Sequence, residues 1–221
     1  ADVTRSYTYN GSGQLTQATD EEGVVTTYTY YTSGDNTGLL WKIRVDPTGL
    51  DLTTTLDYDG WFNVDSVTSP NGDTTTTTYD ALRRRVEVEA PSPFGYLTQY
   101  HWDGNSNLVQ QDVQNVDKDG DVVESNPWFT TTYTYTCRDQ LASITEEIAS
   151  GTTRTTSFAY DANGNRTSLT KPQANQDTWT YDERDLVASH TRGYGAAGAS
   201  TVEYAYDDNG NYSEATVYAT M

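Results

Sequence analysis

The sequence has little of what catalytic and metal centres are made from. Its 221 residues include one cysteine, Cys137, one methionine and two histidines, His101 and His190. A single cysteine excludes an internal disulfide framework, and Cys137 is read as a buried or half-buried thiol in a strand. Neither histidine has a Cys or His partner at metal-ligand spacing, and His101 is read as an ordinary strand residue. There is no Gly-x-Ser-x-Gly elbow and no phosphate loop. Carboxylates are the opposite case: among 32 Asp and Glu, no pair stands out for acid–base work. The chain is read as a non-enzyme, and no cofactor is expected, calcium apart.

Positive charge is also scarce. Thirteen Lys and Arg face those carboxylates, for a net charge of −19, and lysine occurs only at 42, 118 and 171. So acidic a chain is repelled by phosphate, which excludes nucleic acid as a partner. Arg83-Arg84-Arg85 is the one basic cluster, read as pairing with local carboxylates. No apolar run reaches transmembrane length and no signal peptide is present, so no membrane insertion is expected. The chain opens at Ala1 inside a repeat, and is read as excised from something longer. Leu, Ile, Val and Phe total 35 residues, under a fifth. With the high charge, that composition suggests disorder.

Eighteen Tyr and five Trp reverse that suggestion. Aromatic rings bury large area per residue, so a thin aromatic layer can replace a thick aliphatic core. They also recur. Tyr-Asp or a substitute ends a segment at Tyr9-Asn10, Tyr30-Tyr31, Tyr58-Asp59, Tyr79-Asp80, Trp102-Asp103, Tyr135-Thr136, Tyr160-Asp161, Tyr181-Asp182 and Tyr206-Asp207. After each pair comes a polar turn, as in Asn163-Gly164-Asn165 and Asn209-Gly210-Asn211, suited to positive φ. A strand follows, then a second turn such as Pro70-Asn71-Gly72, then a Thr-rich strand back to the next Tyr. Tyr133 and Tyr135 alternate with Thr132 and Thr134, the period of a strand. Residues 81–90 are the best helix candidate, but Val86 and Val88 alternate with Glu87 and Glu89, which favours a strand. The expected fold is all-β: eight or nine antiparallel hairpins in one array over 1–221, with an insertion at 103–135 and aromatic rungs stacked from repeat to repeat.

The repeated Tyr-Asp-x-x-Gly-Asn motif, clearest at Tyr160 to Asn165 and Tyr206 to Asn211, resembles the YD-repeat family, also called RHS repeats. That family includes bacterial Rhs and wall-associated polymorphic toxins, the C components of insecticidal toxin complexes, and teneurins. The resemblance implies a curved, spiralling sheet of hairpins that builds a hollow shell, enclosing a toxic domain in the toxins. It implies an extracellular or cell-surface setting. The function expected is a structural segment of a shell, tube or fibre, with neighbouring repeats or copies of itself as partners. The alternative is an adhesion module that recognises glycans or partner proteins.

Three stretches carry site hypotheses. Asp46-Pro-Thr-Gly-Leu50 matches five residues at which toxin-type relatives are cut, but repeats continue for 170 residues beyond it, so it is read as a turn. Asn115, Asp117, Asp119 and Asp121 alternate before and after Gly120 like the front half of an EF-hand loop, and could hold calcium. Loop position twelve has Asn126 in place of Glu, and a hairpin turn explains the same residues. Trp41 and Trp61 flank turns and are the candidates for stacking on a sugar, while Trp102 and Trp179 follow core-like alternation.

Overall fold

The structure, a computed structural model, describes residues 4–194 and 198–219. Its regular elements are all strands. In chain order they are β1 (Ser6–Tyr9), β2 (Leu15–Thr19), β3 (Val25–Tyr30), β4 (Leu40–Val45), β5 (Leu52–Tyr58), β6 (Val64–Thr68), β7 (Thr74–Tyr79), β8 (Arg85–Glu89) and β9 (Leu97–Trp102). Then follow β10 (Leu108–Gln114), β11 (Trp128–Tyr135), β12 (Leu141–Ala149), β13 (Thr152–Tyr160), β14 (Arg166–Thr170), β15 (Gln176–Tyr181), β16 (Val187–Tyr194), β17 (Ser200–Tyr206) and β18 (Tyr212–Ala219). The chain divides into two compact units, Ala1–Tyr100 with Val113–Pro127, and His101–Asp112 with Trp128–Met221.

Each unit is an antiparallel meander. In the first, every strand from β1 to β9 pairs with the next. In the second, β11 to β18 do the same. Alternation sorts the side chains. Tyr133 lies opposite Ile144 and Tyr135 opposite Leu141, while Thr134 and Ser143 share a 2.7 Å hydroxyl bond on the other face. The Thr face is a hydroxyl ladder, repeated at Thr145–Thr155 (2.9 Å), Thr191–Thr201 (2.7 Å) and Thr68–Thr74 (2.9 Å). Such cross-strand pairs stabilise the face of a sheet.

Among the described residues no apolar side chain is buried, and the two buried polar ones are Asp112 and Asp177. The aromatics are half-buried or exposed and form no buried core among the described residues. Ring contacts occur at Tyr31–Trp41 (6.0 Å), Tyr31–Tyr58 (6.3 Å) and Tyr206–Tyr212 (4.8 Å), and beside them the Tyr hydroxyls form a hydrogen-bonded device, set out below. Of residues 81–90, read as a strand, Arg85–Glu89 form β8, and the residues before them belong to a turn over Asp80–Arg84. Arg84 pairs with Asp80 at 2.7 Å, as expected for the basic cluster. One placement differs from expectation. Cys137 is exposed, in the turn between β11 and β12, because Thr136 occupies the Asp slot and the next residue points outward. Trp41 is the second residue of β4, inside the strand that follows the Asn36–Leu39 turn.

Candidate functional site

The recurring site is the Tyr-Asp pair and the five residues that follow its strand. From the Asp position, the backbone N–H donates to the carbonyl four residues on, and the third residue's N–H donates back. Asp161 N–H to Asn165 (2.9 Å) and Gly164 N–H to Asp161 (3.2 Å) are one instance. Twelve turns among the described residues share this pattern. The Asp carboxylate adds two more bonds, its Oδ1 accepting the N–H groups of the second and fourth residues. Asp59 takes those of Trp61 and Asn63, Asp80 those of Leu82 and Arg84, and Asp182 those of Arg184 and Leu186, all at 2.8–2.9 Å. Asp161 and Asp207 repeat it. In the Asn-ended turns the fourth residue's amide also donates to Oδ2: Asn63, Asn107, Asn165 and Asn211.

These bonds favour the charged carboxylate. The Asn63 side chain holds Asp59 below its ordinary value, the Arg84 backbone does so for Asp80, the Leu186 backbone for Asp182 and the Asn211 side chain for Asp207. At Asp161 burial pulls upward, and the bonds from Asn165, Asn163 and Gly164 outweigh it. The third residue must adopt positive φ. Gly164 (97°) and Gly210 (81°) do so without strain, and Phe62 (67°), Arg83 (62°), Asp139 (58°) and Asp185 (60°) are forced to. Where a Tyr precedes the turn, a bulge goes with it, as at Ala159/Tyr160 and Asp57/Tyr58; the turns at Asp20, Ser69 and Lys171 join strands without one.

The Tyr serves the other side of its strand. Tyr30 hydroxyl donates to Leu15 carbonyl (2.8 Å), Tyr58 to Leu40 (2.7 Å), Tyr79 to Val64 (2.8 Å), Tyr135 to Leu108 (2.8 Å), Tyr160 to Leu141 (2.9 Å), Tyr181 to Arg166 (2.8 Å) and Tyr206 to Val187 (2.8 Å). Each bond joins the last residue of one strand to the first of the strand before. The ladder between those two strands stops short there. β2–β3 pairing begins at Gln17, β6–β7 at Ser66 and β14–β15 at Ser168. The strands splay, and the phenol spans the gap to a carbonyl that would otherwise lack a partner. Burial raises Tyr58, Tyr135 and Tyr181, and takes Tyr206 up to about 12 with help from the Tyr212 hydroxyl, so the donor proton stays on.

In the second unit the turns are also tied to each other. Asn105 and Asn107 both donate to Asp139 Oδ1 (3.1 and 2.9 Å), and Asn163 and Asn165 both donate to Asp185 Oδ1 (2.8 and 2.7 Å). Onward links come from Arg138 to Ala162 carbonyl, Gln140 to Gly164 carbonyl (3.1 Å) and Arg184 to Asp207 carbonyl (3.0 Å). Two turn types alternate along the row: Asp-x-Asn-x-Asn at 103, 161 and 207, and x-x-Arg-Asp at 136 and 182. In the first unit the corresponding turns hold Trp61, Phe62 and Leu82, all more than half exposed.

The residues proposed from sequence fall as follows. Tyr58, Tyr79, Tyr160, Tyr181 and Tyr206 are hydroxyl anchors, and the Asp after each caps a turn. Asp46 to Asp51 is a turn in which a Cβ on Gly49 would overlap the Asp46 carboxylate. Asp117 caps its own hairpin through Asp119 and Asp121 N–H, Lys118 pairs with Asp119, and Asn115 bonds the Asn126 carbonyl. Among the described residues no three carboxylates, histidines or cysteines gather as metal ligands. Trp41 is 37 % exposed, with Lys42 Nζ 4.1 Å over its ring, and Trp61 is 65 % exposed. Trp179 is sandwich-like, with His190 stacked at 4.7 Å and Arg166 4.5 Å from its ring.

Sequence reasoning missed the buried carboxylates and the ties between turns. Asp112 accepts from His101, Gln110 and Thr130 at 2.9, 2.7 and 2.6 Å, and Asp177 from Lys171 and Gly193 N–H. The Lys171 ammonium holds the Asp177 carboxyl below its usual range. The alternation of the two turn types was the available signal for the ties.

Comparison with known proteins gives two family matches. The teneurin YD-shell model matches residues 112–218, and the RHS-repeat model matches residues 9–36. No curated protein sequence matches. Two similar solved structures are a Photorhabdus luminescens Tc holotoxin pore with mutated TccC3 (16% identity, TM-score 0.61) and TcdB2-TccC3 (15%, 0.61). The alignments cover 96% and 98% of this chain, but only 13% and 14% of those chains. The likeness shows the fold, and this chain spans about one seventh of their length.

Proposed function

Because this chain belongs to the YD-repeat, or RHS-repeat, family, we propose that it is a non-catalytic wall segment of a larger β-sheet shell. The observation that carries the reading is the absence of any buried apolar side chain among the described residues, beside hairpins fixed to one another by hydrogen bonds. Stability passed from repeat to neighbouring repeat needs no second layer. The setting is extracellular or on the cell surface, and an enclosed toxin domain is the natural cargo of such a wall.

Light scattering with negative-stain microscopy, at low and high salt, tests this. The wall reading expects discrete particles. Fibres of uniform width that lengthen with concentration would replace it with a self-assembling filament.

Adhesion is the second reading, favoured by the exposure of Trp41 and Trp61. A glycan array decides it: binding that disappears in both Trp41→Ala and Trp61→Ala would establish an adhesion module. Calcium at Asn115, Asp117, Asp119 and Asp121 is a separate proposal, and titration calorimetry with calcium that gives no heat rejects it.

A further inference from the structure

We propose that the exposed turn row of the first unit is a docking surface for a basic segment of a partner polypeptide, seated across Trp41, Trp61 and Leu82. This goes beyond both readings above. It gives the surface a cationic polypeptide, where the adhesion reading gives it a sugar. The turn over Asp59–Asn63 holds Trp61 and Phe62 out in solvent, 65 and 55 % exposed. The turn over Asp80–Arg84 does the same with Leu82, 66 % exposed. The two turns lie within electrostatic reach: Asp59, held low first by Asn63, is also drawn down by the Arg83 guanidinium. Trp41 joins them through Tyr31, whose ring lies 6.0 Å from Trp41 and 6.3 Å from Tyr58, the residue before Asp59. Exposed rings grouped in this way, rimmed by polar side chains, mark an interaction surface.

The rim carries one sign of charge. Burial pushes the Asp65 carboxyl up, and the Asp59 and Asp57 carboxylates beside it push it further. The Tyr31 hydroxyl donates to Asp57, and burial together with that carboxylate takes the phenol up to about 12. Among the described residues neither Asp57 nor Asp65 has an ion-pair partner. One cation shows what the rings accept: Lys42 Nζ lies 4.1 Å over the Trp41 ring. Indole faces attract ammonium and guanidinium groups, and carboxylates without a counter-ion attract the same groups. Trp61, Phe62 and Leu82 add apolar contact. The occupant is therefore rich in Arg or Lys and partly apolar. A second copy of this chain, at a net charge of −19, brings the wrong sign. Length follows from the sheet. β4 to β8 are successive neighbours, so the surface spans four strand spacings, about 19 Å, or about six residues of extended chain.

The probe is the capped hexapeptide Arg-Arg-Arg-Arg-Leu-Leu, which presents Arg, Arg and Leu on either face of an extended chain. It is titrated into the whole protein. Calorimetry gives the affinity, and the indole N–H signals of Trp41 and Trp61 give the place. Both signals should shift, and binding should tighten as salt is lowered. Trp61→Ala should weaken binding about tenfold, and so should Asp57→Asn with Asp65→Asn. Glu22→Gln with Asp73→Asn removes the same charge at the other end of the strands, and should change affinity by less than about twofold. Equal weakening by the two charge pairs overturns the proposal, because net charge alone would then draw the peptide. So does binding that leaves both indole signals unmoved. A sugar that binds through Trp41 and Trp61 while the peptide does not would return the surface to the adhesion reading. Shifts of both signals with protein concentration alone would give it to a second copy. Either result overturns the proposal.

Discussion

In the first unit, the second residue after the capping Asp is Trp61 or Leu82, and both stand in solvent. In the second unit the same position reads Asn105, Arg138, Asn163, Arg184 and Asn209, alternating amide and guanidinium. The backbone of the turn is the same in both. The capping bonds are the same, and so is the positive φ at the next residue. What differs is where the outward side chains go. In the first unit Asn63 closes on Asp59 and Arg84 on Asp80, and one tie reaches onward, from the Gln14 amide to the Gly38 carbonyl at 2.8 Å. In the second, Asn107 and Asn165 close on their own turn and also reach Asp139 and Asp185 of the next. The difference separates two jobs that one motif performs. The Tyr, the Asp and the αL residue make the hairpin, and the residues between decide whether hairpins grip each other or face outward.

The largest break in that comparison should come from the cap. Asp161→Ala removes the acceptor of two backbone N–H groups and the partner of Asn165 Nδ2, which also grips Asp185. Asp59→Ala removes the same bonds at a turn whose Asn63 amide grips Asp59. The unfolding midpoint should fall by about 5 °C for Asp161→Ala and about half of that for Asp59→Ala. Equal losses would mean that the ties between turns contribute nothing. Next in size is the Tyr anchor, which both units share. Tyr58→Phe and Tyr160→Phe should each cost about 1 kcal/mol in denaturant unfolding. A clear difference between them would show that the units differ in more than their turn rows.

The tie itself is measured by a double-mutant cycle on Asn163→Ala and Asp185→Ala. A coupling of about 1 kcal/mol is expected for residues in direct contact. The matched cycle on Trp61→Ala and Leu82→Ala, whose side chains are turned out to solvent, should give a value near zero.

Much of this is legible in the sequence. Alternation placed the strands, and Asn-Gly and Asp-Gly placed the turns, because a hairpin leaves its mark within a few consecutive residues. The grip of Asn163 and Asn165 on Asp185 spans 20 or more residues, and only the pairing of strands brings them together. Burial of Asp112 needed His101 and Thr130 from two different strands. Cys137 was misplaced because Thr136 hides the turn signal that an Asp would have given. The phenols looked like stacking groups because ring area is visible in a composition, whereas a splayed ladder with a carbonyl to satisfy is not.

Acid separates capped turns by chemistry. Asp59, Asp80, Asp161, Asp182 and Asp207 all have folded values below the ordinary carboxylate value of about 3.9. For a depressed acid, the stabilisation is whole above the unfolded value and drains away as pH falls through the folded one. The Thr136 hydroxyl makes the same two bonds, to Arg138 and Gln140 N–H at 3.2 Å, without titrating. Below about pH 4, exchange should quicken at Asn163 and Asn165 N–H and stay level, after correction for intrinsic rate, at Arg138 and Gln140. Relief of the net charge of −19 acts on the whole chain, so this contrast between turns, not the midpoint, is the readout.

The smallest effect should run in the opposite direction, and it tests why the two rows diverged. Phe62 is held at φ 67°, where a side chain is strained, and its ring is 55 % exposed, so it gains little from packing. Glycine removes the strain but adds freedom to the unfolded chain. Phe62→Gly should therefore stabilise by about 0.5 kcal/mol. Gly164→Ala runs the other way. Its φ is 97°, and a Cβ would sit 3.2 Å from the Gln140 amide that ties two turns together. A wall has no use for a strained, exposed ring in a turn that accepts glycine. If Phe62→Gly does stabilise, the ring is kept for what it meets outside the chain, and the first unit's row faces a partner. If Phe62→Gly destabilises, the ring holds its own turn, and the two rows differ only in how they are stitched.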